Sequence, residues 1–310
     1  MSSSTTDAAP RPGLSVVVAS LNDGAVLMRC VKALVAQADA AKVEILVVRD
    51  VERSDGFDKA VAESRFPDVR WIEGPPGCTV PRLRSLGIAA SRGEVVALLE
   101  DDCLVQEGWC EVATSVTTQG QYVAVGGAVE PGPYTRTLDW GVYFCEYARF
   151  MLPVPSVRSP PLPGNNMAFK RSALARLPAD AREGFQEVFV QAEWRRAGLA
   201  TSATDALVVQ NVNSWQLGQV TSIPFHHGRA FAARRFRGKG TLMRVAIGLR
   251  TLGLPALKIF RLFGETISRG RLVGRVVLAL PWVVIFTTSW SIGEAMGCVF
   301  GEGTSASRWR

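Results

Sequence analysis

The chain has 310 residues, 47% hydrophobic and 20% charged, which supplies a substantial core and excludes global disorder. Its formal net charge of +7 is uneven, because Arg229 to Arg275 holds twelve Lys or Arg and one acid, Glu265. Those basic residues interleave with apolar ones rather than with a nucleic-acid module, so the expected partner is membrane lipid and no nucleic acid.

The opening "MSSSTTDAAPRPG" lacks the apolar region of a secretory signal and reads as a disordered leader over 1–13. "LSVVVASLND" is a short apolar run ending in turn formers, the pattern of a buried parallel strand. "AVLMRCVKALVAQA" has apolar residues at helical spacing, and "KVEILVVRD" is a second strand. "RSDGFDKAVAESR" reads as a turn and short helix, "VRWIEG" as a third strand, "TVPRLRSLGIAASRG" as a helix closing on Gly93, and "EVVALLEDD" as a fourth strand. This alternation predicts an α/β fold with a mainly parallel sheet flanked by helices, whose ligands bind at the carboxyl ends of the strands.

Further on, "YVAVGGAVEP" is another strand, and "NNMAFKRSALARL" runs from a short strand into a helix near Arg171 or Ser172. "EGFQEVFVQAEWRRAGLAT" is a helix with Gly198 as its C-cap, and "ALVVQNV" is the last strand. "LMRVAIGLRTLGLPALKIFRLFG" has the pattern of an in-plane amphipathic helix, broken near Pro255. Val276 to Gly293 then gives 18 residues without a charge, the lower limit for a membrane span; "RGRLVGR" precedes it, and Trp282 and Trp290 lie within it. Pro281 and several Ser or Thr weaken the span, which leaves a buried soluble helix as the other reading. The expected division is a leader over 1–13, a catalytic domain over 14–228 and a membrane-associated tail over 229–310.

Six cysteines are scattered without CxxC spacing, and with only His226 and His227 available no zinc motif is spelled out, so reduced thiols are expected. The concentrated signal is Glu100-Asp101-Asp102 at the tip of the fourth strand. Side chains alternate along an extended chain, so Glu100 and Asp102 share a face and suit a hard divalent cation, although a lone "EDD" without further context is more often a solvated turn.

"LSVVVASLN", "EILVVRD", "RLRSLGIAASRGEVVALLEDDCLVQEGW", "PGNNMAFKRSAL" and "QEVFVQAEWRRAG" follow the order and spacing of the family 2 glycosyltransferases, which the chain resembles from Leu14 to about Val209. The resemblance implies a GT-A fold and inverting transfer from a nucleotide-sugar donor, a UDP-sugar by preference, to a lipid-linked or glycan acceptor. It makes Asp102 the ligand of Mg2+ or Mn2+, with Glu100 facing the ribose or a metal-bound water and Asp101 beside them. Arg84 takes the position of a donor-side arginine, and Gly164-Asn165-Asn166 that of a loop closing over donor and acceptor. Counting back twelve and eleven residues from Gly198 gives Gln186 and Glu187, which makes Glu187 the expected base, with Glu183 and Glu193 as fallbacks. His226 is the counterpart of a residue that reaches the metal or diphosphate. Arg49 stands where a base-reading Asp is usual, so either Asp50 covers that role or the nucleotide is not UDP.

Ser85, Gln186 and Glu193-Trp194 also depart from the pattern. Arg49, Ser85 and Gln186 support an alternative reading as a catalytically inactive membrane scaffold, and Glu193-Trp194 bears on the acceptor pocket. A nucleotidyltransferase is disfavoured, because "ASLNDGAVLMR" has no Gly-rich basic loop after the first strand. The expected location of the enzyme is the cytoplasmic face of the cell membrane, in the synthesis of cell-envelope polysaccharide.

Overall fold

Leu14–Ser20, seven consecutive buried residues, form β1, and the same apolar continuity builds β2 (Val43–Asp50). Between them lies α1 (Gly24–Val35), capped by Asp23, whose carboxylate accepts a hydrogen bond from the amide of Ala25. Next come α2 (Lys59–Arg65), β3 (Val69–Gly74), α3 (Val80–Ala90) and β4 (Val95–Glu100). A computed structural model of the chain describes residues 12–39, 42–51, 56–155 and 157–308, so the expected leader lies almost entirely outside the described residues.

The first four strands pair in parallel in the order β3-β2-β1-β4. Beyond β4 come β5 (Cys103–Val105), α4 (Trp109–Thr118), β6 (Ala124–Pro131), α5 (Thr137–Glu146), β7 (Asn166–Lys170) and β8 (Thr201–Asn211). They extend the sheet to eight strands, in which β7 lies antiparallel between β4 and β6, β8 runs parallel to β6, and β5 closes the edge. The parallel sheet expected from the sequence thus becomes a mixed one past the acidic tip. One core cluster lies on each face of the sheet, one including Leu27, Leu34 and Trp109 and the other Leu83, Phe185 and Trp194.

The helix expected after β7 begins at Arg171 and is of the 3-10 type, Arg171–Arg176. One local expectation is corrected. The helix before β4 ends at Ala90, and Gly93 is required by close approach, since a Cβ there would lie 2.6 Å from the amide nitrogen of Ser15.

Short α6 (Ala179–Glu183) precedes α7 (Glu187–Arg196), after which Gly198 takes the left-handed φ of 74° expected of a helix-ending glycine. Four further helices follow: α8 (Gln219–Arg235), α9 (Thr241–Thr251), α10 (Leu254–Ser268) and α11 (Val273–Phe300). α8 runs through the position at which the composition turns basic, joining the last strand to the C-terminal helices. Pro255 falls in the first turn of α10, where a missing N–H costs nothing, so the break in the amphipathic pattern is a true helix boundary.

Among the described residues, α11 is the one helix long and apolar enough to cross a membrane, with mean hydropathy 1.7 over its best window, of which 39% is buried. It packs against α5, α8, α9 and α10. Glycines set the contact with α8: a Cβ on Gly293 would stand 2.0 Å from the carbonyl oxygen of Phe225, one on Gly297 2.2 Å from that of Arg229, and one on Gly228 2.4 Å from that of Trp290. The Gly293-Glu-Ala-Met-Gly297 spacing therefore brings the two backbones together within one chain. Val276, Ala279 and Val283 fill the space against Trp140, Tyr143 and Phe144 of α5. Each Val or Phe side chain buried along α11 contributes about 1.5–3 kcal/mol. The outer faces of α9, α10 and α11 stay apolar and uncovered, with Leu242, Leu249, Phe260, Ile267, Leu278 and Phe300 all exposed.

Candidate active site

The pairing registers set Ser20 beside Arg49 and Ala19 beside Glu100 at the carboxyl ends of these strands, with Asp50 and the rest of the acidic run just beyond. Asp101 is buried and faces back toward β1. It accepts hydrogen bonds from Ser20 Oγ (2.7 Å), the amide of Asn22 (2.8 Å) and Asn22 Nδ2 (2.6 Å). Arg49 completes this knot, donating to Ser20 Oγ at 2.5 Å and to the carbonyl of Asn22 at 2.9 Å. Burial still raises the proton affinity of Asp101, against the pull of these donors. Asp50 is buried as well, and its Oδ2 accepts from the amide of Cys78 at 3.1 Å.

Asp102 has a different environment. Burial, then the charges of Glu100 and Asp101, pushes its carboxyl up to about 8. The side chain of Asn211 and then the Cys103 thiol, whose Sγ lies 3.4 Å from its Oδ1, pull the other way without offsetting this, and the thiol is kept protonated by its own burial and by Asp102 and Glu100. A buried carboxylate beside two others with so little compensation is relieved by a cation.

Arg84 links the two halves of the site. Its side chain is buried on α3, with Nη2 2.6 Å from Glu100 Oε1 and Nη1 2.7 Å from Glu187 Oε2. Burial opposes the charged guanidinium, but Glu187 and Glu100 outweigh it and hold its proton more tightly than usual. Glu187 is the first residue of α7, where the helix N-terminus favours an anion. Gly164 lies directly over this pair: a Cβ there would meet Arg84 Nη2 at 2.6 Å and Glu187 Oε2 at 2.8 Å. The sequence-predicted Arg84, Glu100 and Glu187 are therefore brought into one hydrogen-bonded unit next to Asp102.

The two asparagines after Gly164 differ. Asn166 is fully committed to the fold, accepting from Trp109 Nε1 (3.0 Å) and donating to the carbonyls of Ala128 (2.8 Å) and Leu207 (3.0 Å). Asn165 donates to Cys103 Sγ at 3.3 Å, while its buried Oδ1 has no hydrogen-bond partner among the described residues. Arg84 Nε and Asn211 Nδ2 are likewise buried and unpaired, so three orphaned polar atoms collect around the acidic tip.

His226 sits on α8 with Nδ1 3.0 Å from Ser305 Oγ. Burial and the neighbouring Arg308 and Arg229 lower its proton affinity, and the same two arginines oppose a second cation there. Its neighbour His227 faces inward, held neutral by burial, Lys258 and Arg84, with its pKa pushed down to about 3. His227 packs edge-on against Trp290 at 4.6 Å, and Lys258 Nζ lies 4.4 Å above the same ring. Glu146 is the last residue of α5. Burial and the charges of Glu100 and Glu187, against Lys258, place its carboxyl at about 7. Sequence reasoning missed Glu146, His227, Lys258 and Trp290, which come from four helices and share no motif; α5 itself was not predicted.

No three His, Cys, Asp or Glu side chains converge as a metal cage among the described residues. A Mg2+ or Mn2+ that takes one or two carboxylates from the protein and the rest of its oxygens from water and a diphosphate would be held by Asp102, the buried carboxylate with the least compensation.

The glycosyl transferase family 2 profile matches residues 15–177. Mouse polypeptide N-acetylgalactosaminyltransferase 12 is 29% identical over 136 residues, 43% of this chain and 23% of that protein, so the chain spans about a quarter of that relative's length. The solved structure of the mannosyltransferase PcManGT from Pyrobaculum calidifontis, in complex with GDP-Man and Mn2+, superposes with a TM-score of 0.55 at 17% identity, covering 94% of this chain and 87% of that one. This shared architecture is the mainly parallel, helix-flanked GT-A sheet, and coverage of that extent takes in the C-terminal helices as well as the sheet. With more than half of its residues inside the family match, the chain belongs to glycosyl transferase family 2.

Proposed function

We propose that the protein transfers a sugar from a nucleotide-sugar donor to an acceptor hydroxyl with inversion of configuration. The observation that carries this reading is the Arg84 clamp, which fixes the motif acid Glu100 and the helix-start acid Glu187 on one guanidinium, beside a buried Asp102. A divalent cation on Asp102 supplies charge for the donor diphosphate. Glu187 takes the proton of the acceptor hydroxyl as that oxygen bonds to the anomeric carbon. The bond to the diphosphate breaks with its electron pair leaving on the diphosphate, and nearby arginines oppose the charge that develops. The unpaired Asn165 Oδ1 and Arg84 Nε are available to ligand groups at the same place. The donor in this reading is a UDP-sugar, with Asp50 at the tip of β2 on the side of the base. Asp101 and Asn166 serve the site by holding the strand tips in register.

The protein works, in this reading, on the cytoplasmic membrane face. α11 is docked along its length through Gly293 and Gly297, which favours lying in the interface over spanning it, and the exposed apolar faces of α9 and α10 with Arg250 and Arg261 form the remaining contact with anionic lipid. The test is calorimetric titration of detergent-solubilised protein with UDP, GDP and dTDP, with and without Mn2+, alongside Asp102→Ala. Metal-dependent binding of one nucleotide, lost in the variant, is the expected result. Failure of every nucleotide to bind refutes the transferase and leaves the inactive scaffold.

A further inference from the structure

A cavity of about 440 Å³ lies against α10 and shares no residue with the Arg84 clamp. Natural ligand pockets run from about 300 to 1,000 Å³, so it is large enough to hold one. Phe150, Val154 and three prolines give it apolar walls, and Arg149, Glu265, Ser268 and Arg269 give it polar ones. Arg269 braces the wall, with Nε 3.3 Å from the carbonyl of Pro153, Nη1 3.3 Å from that of Glu265 and Nη2 3.3 Å from that of Arg149. Those acceptors are neutral, so they hold the guanidinium without cancelling its charge. The guanidinium of Arg149 lies 5.3 Å from the ring of Phe150 and, among the described residues, makes no hydrogen bond or ion pair. Glu265 is the one acid in the lining, and no nitrogen of Arg149, Arg261 or Arg269 comes within ion-pair distance of its carboxylate. Burial raises the proton affinity of Glu265 against these three arginines. Burial lowers that of Arg149, where Glu265 opposes it and Arg261 adds to it. The lining is left with uncancelled positive charge, which an anion relieves.

The surface beside the cavity says which anion. α10 gives Glu265, Ser268 and Arg269 to the lining, a set spaced for one face of the helix. Leu257, Phe260, Gly264 and Ile267 follow the same kind of spacing, with Gly264 and Ile267 each one position before a lining residue, and all four are exposed. One position is about 100° around the axis, so this apolar stripe adjoins the cavity along the helix. Phe260 is 77% exposed and Ile267 62%. A wholly polar anion in the cavity leaves that stripe bare to water, whereas an amphiphile covers it. A zwitterionic headgroup brings a cation as well as a phosphate to a lining that is already positive.

We propose that this cavity binds the phosphate headgroup of one anionic membrane lipid, whose acyl chains lie along the Phe260 and Ile267 face of α10. The proposal rests on the membrane-surface reading above and is independent of the transferase reading. It adds to a diffuse attraction for anionic lipid a single saturable site, in which the guanidinium of Arg149 donates to phosphate oxygens and Arg269 keeps the wall in place.

The full chain in detergent is titrated calorimetrically with dihexanoyl phosphatidylglycerol, dihexanoyl phosphatidylcholine and inorganic phosphate. Its sedimentation with mixed phosphatidylglycerol and phosphatidylcholine vesicles is measured alongside. Saturable binding of the phosphatidylglycerol is expected, roughly tenfold or more tighter than that of the phosphatidylcholine, with no comparable binding of phosphate. Arg149→Gln removes a guanidinium that supports no other group, and weakens that binding by roughly tenfold with the melting temperature unchanged. Arg29→Gln removes the same charge from the exposed side of α1 and leaves the lipid affinity as it was. If Arg149→Gln melts early, Ser268→Glu decides, because it sets a carboxylate in the wall and is expected to abolish binding. Equal losses in Arg149→Gln and Arg29→Gln, phosphatidylcholine bound as tightly as phosphatidylglycerol, or phosphate bound as tightly as lipid, each overturn the proposal. Sedimentation with vesicles by a chain that shows no saturable lipid binding overturns it too, and leaves the membrane reading standing. A chain that ignores the vesicles as well brings down both.

Discussion

Replacing Arg84 by Met keeps most of the side-chain volume and removes the charge that Glu100 and Glu187 share. In the native arrangement the guanidinium lies 2.6 and 2.7 Å from the two carboxylates, with its own side chain 4% exposed. Breaking a fully buried pair costs about 3–5 kcal/mol. Here the carboxylates are 22% and 24% exposed, so solvent screens part of the loss and about 2–3 kcal/mol is expected near neutral pH. In a chain of this size that lowers the melting temperature by roughly 5 °C or more. The loss must also depend on pH. Glu100 already holds its proton more tightly than usual, through burial and the charges of Glu187 and Asp101, and Arg84 is what opposes this. Without Arg84 the Glu100 carboxyl takes up its proton at higher pH, and a neutral carboxyl has no need of the lost cation. The deficit of the variant is therefore large at about pH 8 and shrinks toward about pH 5. Thermal melts of Arg84→Met and wild type across that range measure it, with Arg84→Lys intermediate because one ammonium serves only one of two carboxylates well. A deficit equal at both ends of the range, or one below about 0.5 kcal/mol throughout, would refute the clamp.

Three other outcomes are expected. Asn166→Ala strands Trp109 Nε1 and the carbonyls of Ala128 and Leu207, at about 1–3 kcal/mol for each buried group left unpaired, so its denaturation midpoint falls sharply; a midpoint close to wild type contradicts the role given to it. Gly164→Ala sets a Cβ 2.6 Å from Arg84 Nη2 and 2.8 Å from Glu187 Oε2, which displaces the pair. Its kcat is expected to drop by roughly tenfold or more with nucleotide affinity retained, and unaltered turnover speaks against the placement of Glu187. Apparent Mn2+ affinity rises roughly tenfold per pH unit and levels off near the point, about 8, at which Asp102 releases its proton, since below it a proton must be displaced. Without metal the same raised carboxyl costs stability as pH climbs from the ordinary carboxylate range to about 8, so the melting temperature falls over that window and Mn2+ restores it; a profile as flat as that of Asp102→Asn counts against the assignment.

The sheet was legible where burial on both faces wrote itself as unbroken apolar runs, as in Leu14–Ser20 and Val95–Leu99, and the acidic tip was legible because three charges in succession have no packing explanation. Arg84, Glu100 and Glu187 could be named separately from the family pattern, but nothing in their spacing announced that one guanidinium serves both acids. Arg49 looked like a lost base-reading residue and is instead a strut under Asp101. Between His226 and His227 the sequence offered no distinction. One position along α8 turns a side chain by about 100° around the helix axis, and only the packing of α11 decides which one faces inward. Glu146 was hidden most thoroughly, within the aromatic run "WGVYFCEYARF".

α10 carries Lys258 toward the interior and, two residues later, Phe260 outward, where it is 77% exposed. Anything that presses on the outer surface of that helix also presses on the contact between Lys258 and Trp290 within. Crowding, detergent or lateral pressure would reach that contact through the body of a single helix. Cutting the chain after β8 would do more than remove apolar surface: it would strip Trp140, Tyr143 and Phe144 of the α11 side chains that cover them.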